Sequence, residues 1–212
     1  MTKLFVKILI LCIMTNNEIV VFGHSLVRHL RDYTVRHHLH NLDLSADKYR
    51  VFLVGHSGLT VEKAFQEVDV VEHLQPATVV LDLGANDLDS CSDPQPHQVA
   101  QSVVEFALHL KLRSKAKVLY IVQAYHRYKP RRKNYEKVLP IFNKALFEWC
   151  KAHPDMGIIY YHHRNFNNNW QNYLSADGVH LNCEGNRRYY RSIRGAVLRA
   201  SSQTNHTSSK IL

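Results

Sequence analysis

The sequence predicts one α/β domain in three layers, with a parallel sheet between two layers of helices. The chain has 212 residues, 45% apolar and 21% charged, which suits a single globular domain and excludes a disordered, fibrous or polytopic membrane protein. Five short segments rich in Val or Ile are almost continuously apolar, as are strands covered on both faces. Longer stretches with helical spacing alternate with them, which is typical of parallel sheets with right-handed crossovers.

The predicted elements alternate along the whole domain. The strands are expected at Glu18–Phe22, Tyr49–Val54, Thr78–Leu83, Lys117–Val122 and Gly157–Tyr161. One helix is expected after each strand, at Leu26–Leu39, Val61–Leu74, Gln98–Leu112, Asn134–Lys151 and Glu184–Leu198. Each strand has about five or six residues, whereas the helical patterns are longer, and this difference in length separates the two types. The expected fold is a flavodoxin-like, doubly wound sheet of five parallel strands within residues 18–200.

The two ends of the chain differ from this domain. Residues 1–17 contain an apolar run from Leu4 to Met14, which Lys7 interrupts and which is too short to span a bilayer. It is either a weak signal peptide without a small-residue cleavage pattern or an additional N-terminal segment. Residues 201–212 are a polar tail, in which Asn205-His206-Thr207 fits a glycosylation acceptor. A cytoplasmic and a secreted location therefore both stay open.

Cysteine and histidine give no sign of a metal site. The cysteines are widely spread and form no C-x-x-C pair, which argues against a zinc ribbon or a disulfide scaffold: Cys12, Cys91, Cys150 and Cys183. The chain has 15 His, but none has the spacing of a zinc site and no H-E-x-x-H occurs. We expect neither a metal nor an organic cofactor.

Positive charge is in excess and is concentrated in two places. The 27 Lys and Arg outnumber the 18 Asp and Glu, which gives a net charge of +9. One basic run, residues 126–133, follows the fourth strand, and the last helix adds Arg187, Arg188, Arg191, Arg194 and Arg199. A solvated surface is the ordinary explanation. A rim that attracts anionic substrates and a patch that binds nucleic-acid phosphates are the functional alternatives.

Four short segments at the ends of predicted strands carry the chemistry. Ligands of open parallel sheets bind at the carboxyl ends of the strands. The segments found there are Gly23-His24-Ser25, Gly55-His56-Ser57-Gly58, Gly84-Ala85-Asn86-Asp87 and, before the last helix, Asp177-Gly178-Val179-His180. A serine needs a nearby base, a histidine can be that base, and a carboxylate orients the ring. We therefore expect Ser25, His180 and Asp177 to form a hydrolytic triad, with the N–H groups of Ser25 and Gly58 and the amide of Asn86 as oxyanion donors.

These segments resemble the sequence blocks of the SGNH hydrolases, also called GDSL esterases/lipases. The matching text is VVFGHSL around Ser25, HSGLT around Gly58, LDLGAND around Asn86 and DGVHLN around His180. The blocks occur in the family's order over nearly the whole domain. The resemblance implies the same three-layer fold, a serine esterase without a cofactor, and a small-molecule or carbohydrate ester as substrate. One residue departs from the pattern, because His24 stands where the family has an aspartate.

Each of these residues also has an ordinary structural interpretation. Ser25 could be the N-cap of the helix that follows it, Asn86-Asp87 a simple turn, and the Asp177 segment a surface turn. Ser57 is a rival nucleophile, but Gly58 follows it immediately and Leu59 replaces the second glycine of the Gly-x-Ser-x-Gly elbow.

For the whole protein, the alternative to an esterase is a catalytically silent domain of mobile-element type that binds nucleic acid or polyanions. A phosphate-ester or polysaccharide deacetylase specialisation is a further variant. Oligomeric state cannot be predicted from the sequence.

Overall fold

The computed structural model describes residues 17–90, 95–164, 166 and 168–208, with side chains as far as residue 200. The apolar N-terminal run, Cys12, Cys91 and the last four residues lie outside the described part. The side chains of Asn205-His206-Thr207 lie outside it too. Cys150 is buried and Cys183 is exposed, and both are free thiols.

A parallel sheet of five strands forms the centre of the molecule. Its order is β2-β1-β3-β4-β5 and every neighbouring pair is parallel. The strands are β1 (Asn17–Gly23), β2 (Tyr49–Gly55), β3 (Thr78–Asp82), β4 (Val118–Val122) and β5 (Ile158–Tyr161). This is the flavodoxin-like order, and the predicted fold class is confirmed. Since β1 and β3 lie side by side while their connections run to opposite faces, residues after β1 and β3 converge at the carboxyl edge.

Helices cover both faces of the sheet. They are α1 (Ser25–Arg36), α2 (Val61–Ala64), α3 (Asp69–Leu74), α4 (Ala85–Ser90), α5 (Pro96–Ser114), α6 (Tyr135–Ala152) and α7 (Cys183–Ser208). Short 3₁₀ turns occupy His40–Asp43, Pro154–Met156 and Trp170–Tyr173. Within the described ranges, no helix is both long enough and apolar enough to cross a membrane.

Alternating side chains of the strands divide the core in two. In β1, Val20 and Phe22 pack with the core under α2–α6, whereas Ile19 and Val21 pack with the core under α1 and α7. All four side chains are fully buried. Successive strand residues point to opposite faces, so a strand that is apolar at every position buries both faces. This explains the nearly continuous apolar runs in the sequence.

Three predicted helices differ most from the structure, and the bounds of the other two differ by one or two residues at each end. The helix expected at Val61–Leu74 is split into α2 and α3, because the N–H groups of Gln66 and Glu67 bond to carbonyls three residues back and tighten the chain into a turn. Buried residues continue at helical spacing across the break, which is why the pattern predicted one helix: Val61, Ala64, Val68 and Val71. The first helix ends at Arg36 rather than Leu39, since His38 has a φ of 54°. The last helix runs beyond Leu198 into the predicted tail.

Candidate active site

The turn from β1 into α1 presents Ser25 to His180. His24 is the N-cap of α1, and its Nδ1 accepts a hydrogen bond of 3.3 Å from the backbone N–H of Leu26. The N-cap alternative for Ser25 is therefore wrong, because the preceding histidine already fills that position. Ser25 is the first helical residue, and its Oγ lies 3.1 Å from Nε2 of His180.

Asp177 holds His180 in one orientation. Its Oδ2 lies 2.7 Å from His180 Nδ1, and its Oδ1 accepts from the N–H groups of Val179 and His180 and from the hydroxyl of Ser175. Burial alone would raise the pKa of the Asp177 carboxyl, but the hydrogen bonds from His180, Val179 and Ser175 outweigh it and hold the pKa below its usual range. An ionised Asp177 requires the proton on Nδ1, so Nε2 of a neutral ring faces Ser25 with its lone pair.

Part of the basic run binds the loop that carries these two residues. The backbone N–H groups of Tyr128 and Lys129 donate to the carbonyl of Gly178 at 2.7 and 3.1 Å. The Lys129 ammonium also donates to the carbonyl of Ala176 at 3.0 Å. On the other side, the ring of His29 stacks on His180 with 4.6 Å between ring centres. The segment after β4 and the helix α1 therefore both position the imidazole of His180.

Gly58 and Asn86 are brought together by hydrogen bonds between their loops. Nδ2 of Asn86 donates to the carbonyl of Leu59 at 2.9 Å, and Oδ1 of Asp87 accepts from the N–H of Val61 at 3.0 Å. The second residue of the Asn-Asp pair thus ties the start of α2 to α4. Gly58 has a φ of 68°, and a Cβ placed on it would meet nothing within 4 Å. Its N–H faces no hydrogen-bond partner in the described part of the chain. Gly58 and Asn86 line one small cavity.

Arg127 donates to the amide oxygen of Asn86, and it was not predicted as a site residue. Its Nη2 donates to Oδ1 of Asn86 at 2.7 Å, while its Nη1 forms an ion pair with the buried carboxylate of Asp89. Only 7% of Arg127 is exposed. Because the guanidinium takes the amide oxygen and one N–H of Nδ2 donates to Leu59, the second N–H of Nδ2 is the donor that the amide has left. Nothing in the basic run distinguished Arg127 from its exposed neighbours.

His24 joins a second buried group that the sequence did not reveal. Its Nε2 lies 3.2 Å from Oδ1 of Asp82, and both residues are 2% exposed. The contact lacks the alignment of a hydrogen bond. The hydroxyl of Tyr189 donates to the other oxygen of Asp82. Burial alone would raise the pKa of Asp82, but the adjacent His24 ring and the hydrogen bond from Tyr189 lower it.

The rival residues do not form such an arrangement. Ser57 is exposed and forms no hydrogen bond to a histidine of the described residues. His37, His38 and His40 follow the end of α1 on the surface. Across the described ranges, no three His, Cys, Asp or Glu side chains lie close enough to hold a metal ion.

Comparisons with known proteins agree on one family. Residues 21–188 match the model of the GDSL-like lipase/acylhydrolase family, whereas no curated protein matches the sequence. A GDSL-like lipase from Bacteroides thetaiotaomicron has a TM-score of 0.64 and 20% identity over 87% of this chain and 89% of its own. The lipase/acylhydrolase from Enterococcus faecalis has a TM-score of 0.59 and 18% identity over 85% and 96%. A catalytic mutant of an acetylxylan esterase from Geobacillus stearothermophilus has a TM-score of 0.59 and 15% identity over 88% and 94%.

Proposed function

The chain belongs to the GDSL-like lipase/acylhydrolase family, and on this premise we propose that it is a serine esterase acting through an acyl-enzyme on Ser25. The observation that carries the proposal is the chain of contacts from Ser25 Oγ to His180 Nε2, at 3.1 Å, and from His180 Nδ1 to Asp177, at 2.7 Å. Side chains from two distant parts of the sequence, Ser25 and the loop of Asp177 and His180, meet in the order that proton transfer from serine requires.

The proposed reaction has two halves. In the first, Ser25 Oγ forms a bond to the ester carbonyl carbon while its proton passes to Nε2 of His180. The alcohol then leaves with that proton as its bond to the carbonyl carbon breaks. In the second, water adds to the acyl-enzyme by the same route and the carboxylic acid is released. Asp177 stabilises the imidazolium that forms in each half.

The negative oxygen of each tetrahedral intermediate has three candidate donors. They are the N–H groups of Ser25 and Gly58 and the Nδ2 amide of Asn86. The N–H of Ser25 is at the first position of α1, where helix N–H groups lack an intrahelical acceptor. The hydrogen bonds between the Gly58 loop and α4 hold two of the donors in place before substrate binds, which is the property such donors need.

Hydrolysis of nitrophenyl acetate tests the proposal. We expect Ser25→Ala to lose at least about 1000-fold in kcat, because the remaining groups can only stabilise attack by water. Ser57→Ala is the matched control, since Ser57 follows the same Gly-His pair but is exposed, and it should retain the wild-type rate. Equal rates for wild type and Ser25→Ala would overturn the esterase.

One observation favours the second candidate, a silent domain that binds polyanions. A groove of about 360 Å³ between β5 and α7 is lined by four arginines: Arg164, Arg188, Arg191 and Arg199. Guanidinium groups bind phosphates in bidentate fashion. Salt-dependent binding of single-stranded DNA together with an absence of esterase activity would select this function. Esterase activity without binding at low salt would exclude it.

A further inference from the structure

Two of the three proposed oxyanion donors, Gly58 and Asn86, line a small cavity that carries positive charge. Its volume is about 140 Å³, and Gly58 and Asn86 share its lining with Lys63 and Arg131. Thr60 and Ser90 add to the wall. None of its lining residues comes from the Asp177–His180 loop or from α1.

The two cations are not neutralised from within the cavity. Lys63 and Arg131 are exposed, and neither forms an ion pair with a carboxylate of the described residues. Asp89 is the carboxylate of the lining, but it is 3% exposed and committed elsewhere. Its Oδ2 pairs with Arg127 and its Oδ1 accepts from the N–H of Arg132. The cavity therefore has an excess of positive charge beside Gly58 and Asn86.

Nearby acidic residues face away from this cavity. Glu62 and Asp87 line a separate groove of about 580 Å³ on the α5 side of α2. Asp87 is also tied by its Oδ1 to the N–H of Val61. Glu62 and Lys63 of α2 thus line different cavities, and only Lys63 lines the one that contains Gly58 and Asn86.

The position of the cavity decides which part of an ester it receives. The alcohol oxygen must face His180, because it takes its proton from that ring. The substituent on the far side, next to the oxyanion donors, is the acyl chain. We infer that the site selects esters of short acyl groups that end in an anionic group, such as a carboxylate. The inference rests on the proposed esterase function and adds its substrate class.

The test compares two esters with the same leaving group. Nitrophenyl glutarate carries a carboxylate at the end of its acyl chain, and nitrophenyl glutaramate replaces it with a neutral amide of the same shape. After subtraction of the uncatalysed rate, the wild type should hydrolyse the glutarate with the higher kcat/KM. Lys63→Gln and Arg131→Gln should each lower the ratio of the two kcat/KM values about tenfold, since each removes one charge-assisted contact. Lys151→Gln is the control, because Lys151 is an exposed cation in the last turn of α6, at the opposite edge of the sheet.

A binding measurement separates this inference from the esterase proposal. Glutarate titrated into Ser25→Ala should bind more tightly than glutaramate, and both cavity variants should weaken it. Charge-dependent glutarate binding without hydrolysis of either ester would support the anion site and overturn the esterase. Hydrolysis of both esters with equal kcat/KM would overturn the anion site and support the esterase proposal. A ratio of kcat/KM values that Lys63→Gln and Arg131→Gln change no more than Lys151→Gln does would have the same meaning.

Discussion

Arg127 contacts the proposed oxyanion donor Asn86 directly and is itself held by Asp89. A positive group on the amide oxygen leaves Nδ2 as the donor end of the amide and polarises its N–H groups, so it strengthens a donor that acts mainly in the transition state. Arg127 is a positioning residue in this proposal, since it acts through Asn86 and does not contact the substrate.

Replacing Arg127 with lysine should therefore lower kcat more than it raises KM. A lysine cannot hold Asn86 and Asp89 with the fork of a guanidinium, and we expect kcat to fall about 10- to 100-fold, part of the cost of losing an oxyanion donor. In an Asn86→Ala background the same change should have no further effect on kcat. Arg132→Lys is the control, because within the described residues its side chain bonds only to the carbonyl of Ser90. Additive losses in the double variant would contradict the positioning role.

His24 caps α1 with one ring nitrogen and contacts a buried carboxylate with the other. His24 provides the cap that an aspartate could provide, but its other nitrogen faces the buried carboxylate of Asp82. An aspartate at position 24 would place two carboxylates together in a site that is 2% exposed. Like charges without solvent are strongly unfavourable.

We expect His24→Asp to lower the free energy of unfolding by about 3 kcal/mol. Adding Asp82→Asn should recover most of that loss, because the amide no longer repels the new carboxylate. Urea unfolding of the two variants and the wild type measures both effects. If His24→Asp alone were as stable as the wild type, the contact between His24 and Asp82 would contribute nothing to the free energy of unfolding.

At the scale of elements, the segment after β4 holds the loop of Asp177 and His180 through Gly178. Gly178 has a φ of 69°, and a Cβ placed on it would lie 2.8 Å from the backbone nitrogen of Lys129. Alanine at this position is strained and would push the loop away from the segment that carries Lys129.

Gly178→Ala should therefore reduce kcat by at least about 100-fold, since a displacement of 1 Å at a catalytic group has that effect. Gly157→Ala is a matched control: it has a similar φ of 62° but precedes β5 at the opposite edge of the sheet. Both variants should lose about 1 kcal/mol of stability from backbone strain, and only the first should lose activity. Equal activity losses would show that the effect comes from general destabilisation.

Local sequence pattern was sufficient for the strands and insufficient for the contacts between loops. All five strands lie within one residue of their predicted bounds, because burial on both faces leaves a continuous apolar run. α4 was not predicted, since Asn86 and Asp87 have the composition of a turn, and the bonds of their side chains to Leu59 and Val61 join segments more than twenty residues apart. Likewise, Arg127 with Asn86 and His24 with Asp82 are pairs separated by tens of residues, which no local pattern encodes.

For the whole molecule, part of the net charge of +9 has structural roles. Arg127 is paired inside the protein, while Lys129 and Arg132 donate to backbone carbonyls. Two further cations, Lys63 and Arg131, line the cavity beside Gly58, and four arginines line the groove between β5 and α7. Composition could show the excess of charge but not this division, because it depends on which side chains the fold buries.

Stability should depend on pH through a buried histidine outside the proposed triad. His163 is 1% exposed, its Nδ1 lies 2.7 Å from the hydroxyl of Ser192, and burial lowers the pKa of its ring from 6.5 to about 4. Between these two values the unfolded chain binds a proton that the folded protein does not. The free energy of unfolding should therefore decrease as the pH falls through this window, by up to about 3 kcal/mol. The pKa of Asp82 is lowered from 3.8, so that carboxylate does not titrate in the same window.

Urea unfolding at pH 7 and pH 4.5 tests this dependence. His163→Gln has no ring to protonate in the unfolded state, so it should lose less stability on acidification than the wild type, whatever its stability at pH 7. His153→Gln is the control, because His153 is exposed and bonds only to the carbonyl of Trp149, and it should retain the wild-type difference between the two pH values. The same difference in wild type and His163→Gln would mean that His163 takes up its proton as readily in the folded protein as in the unfolded chain.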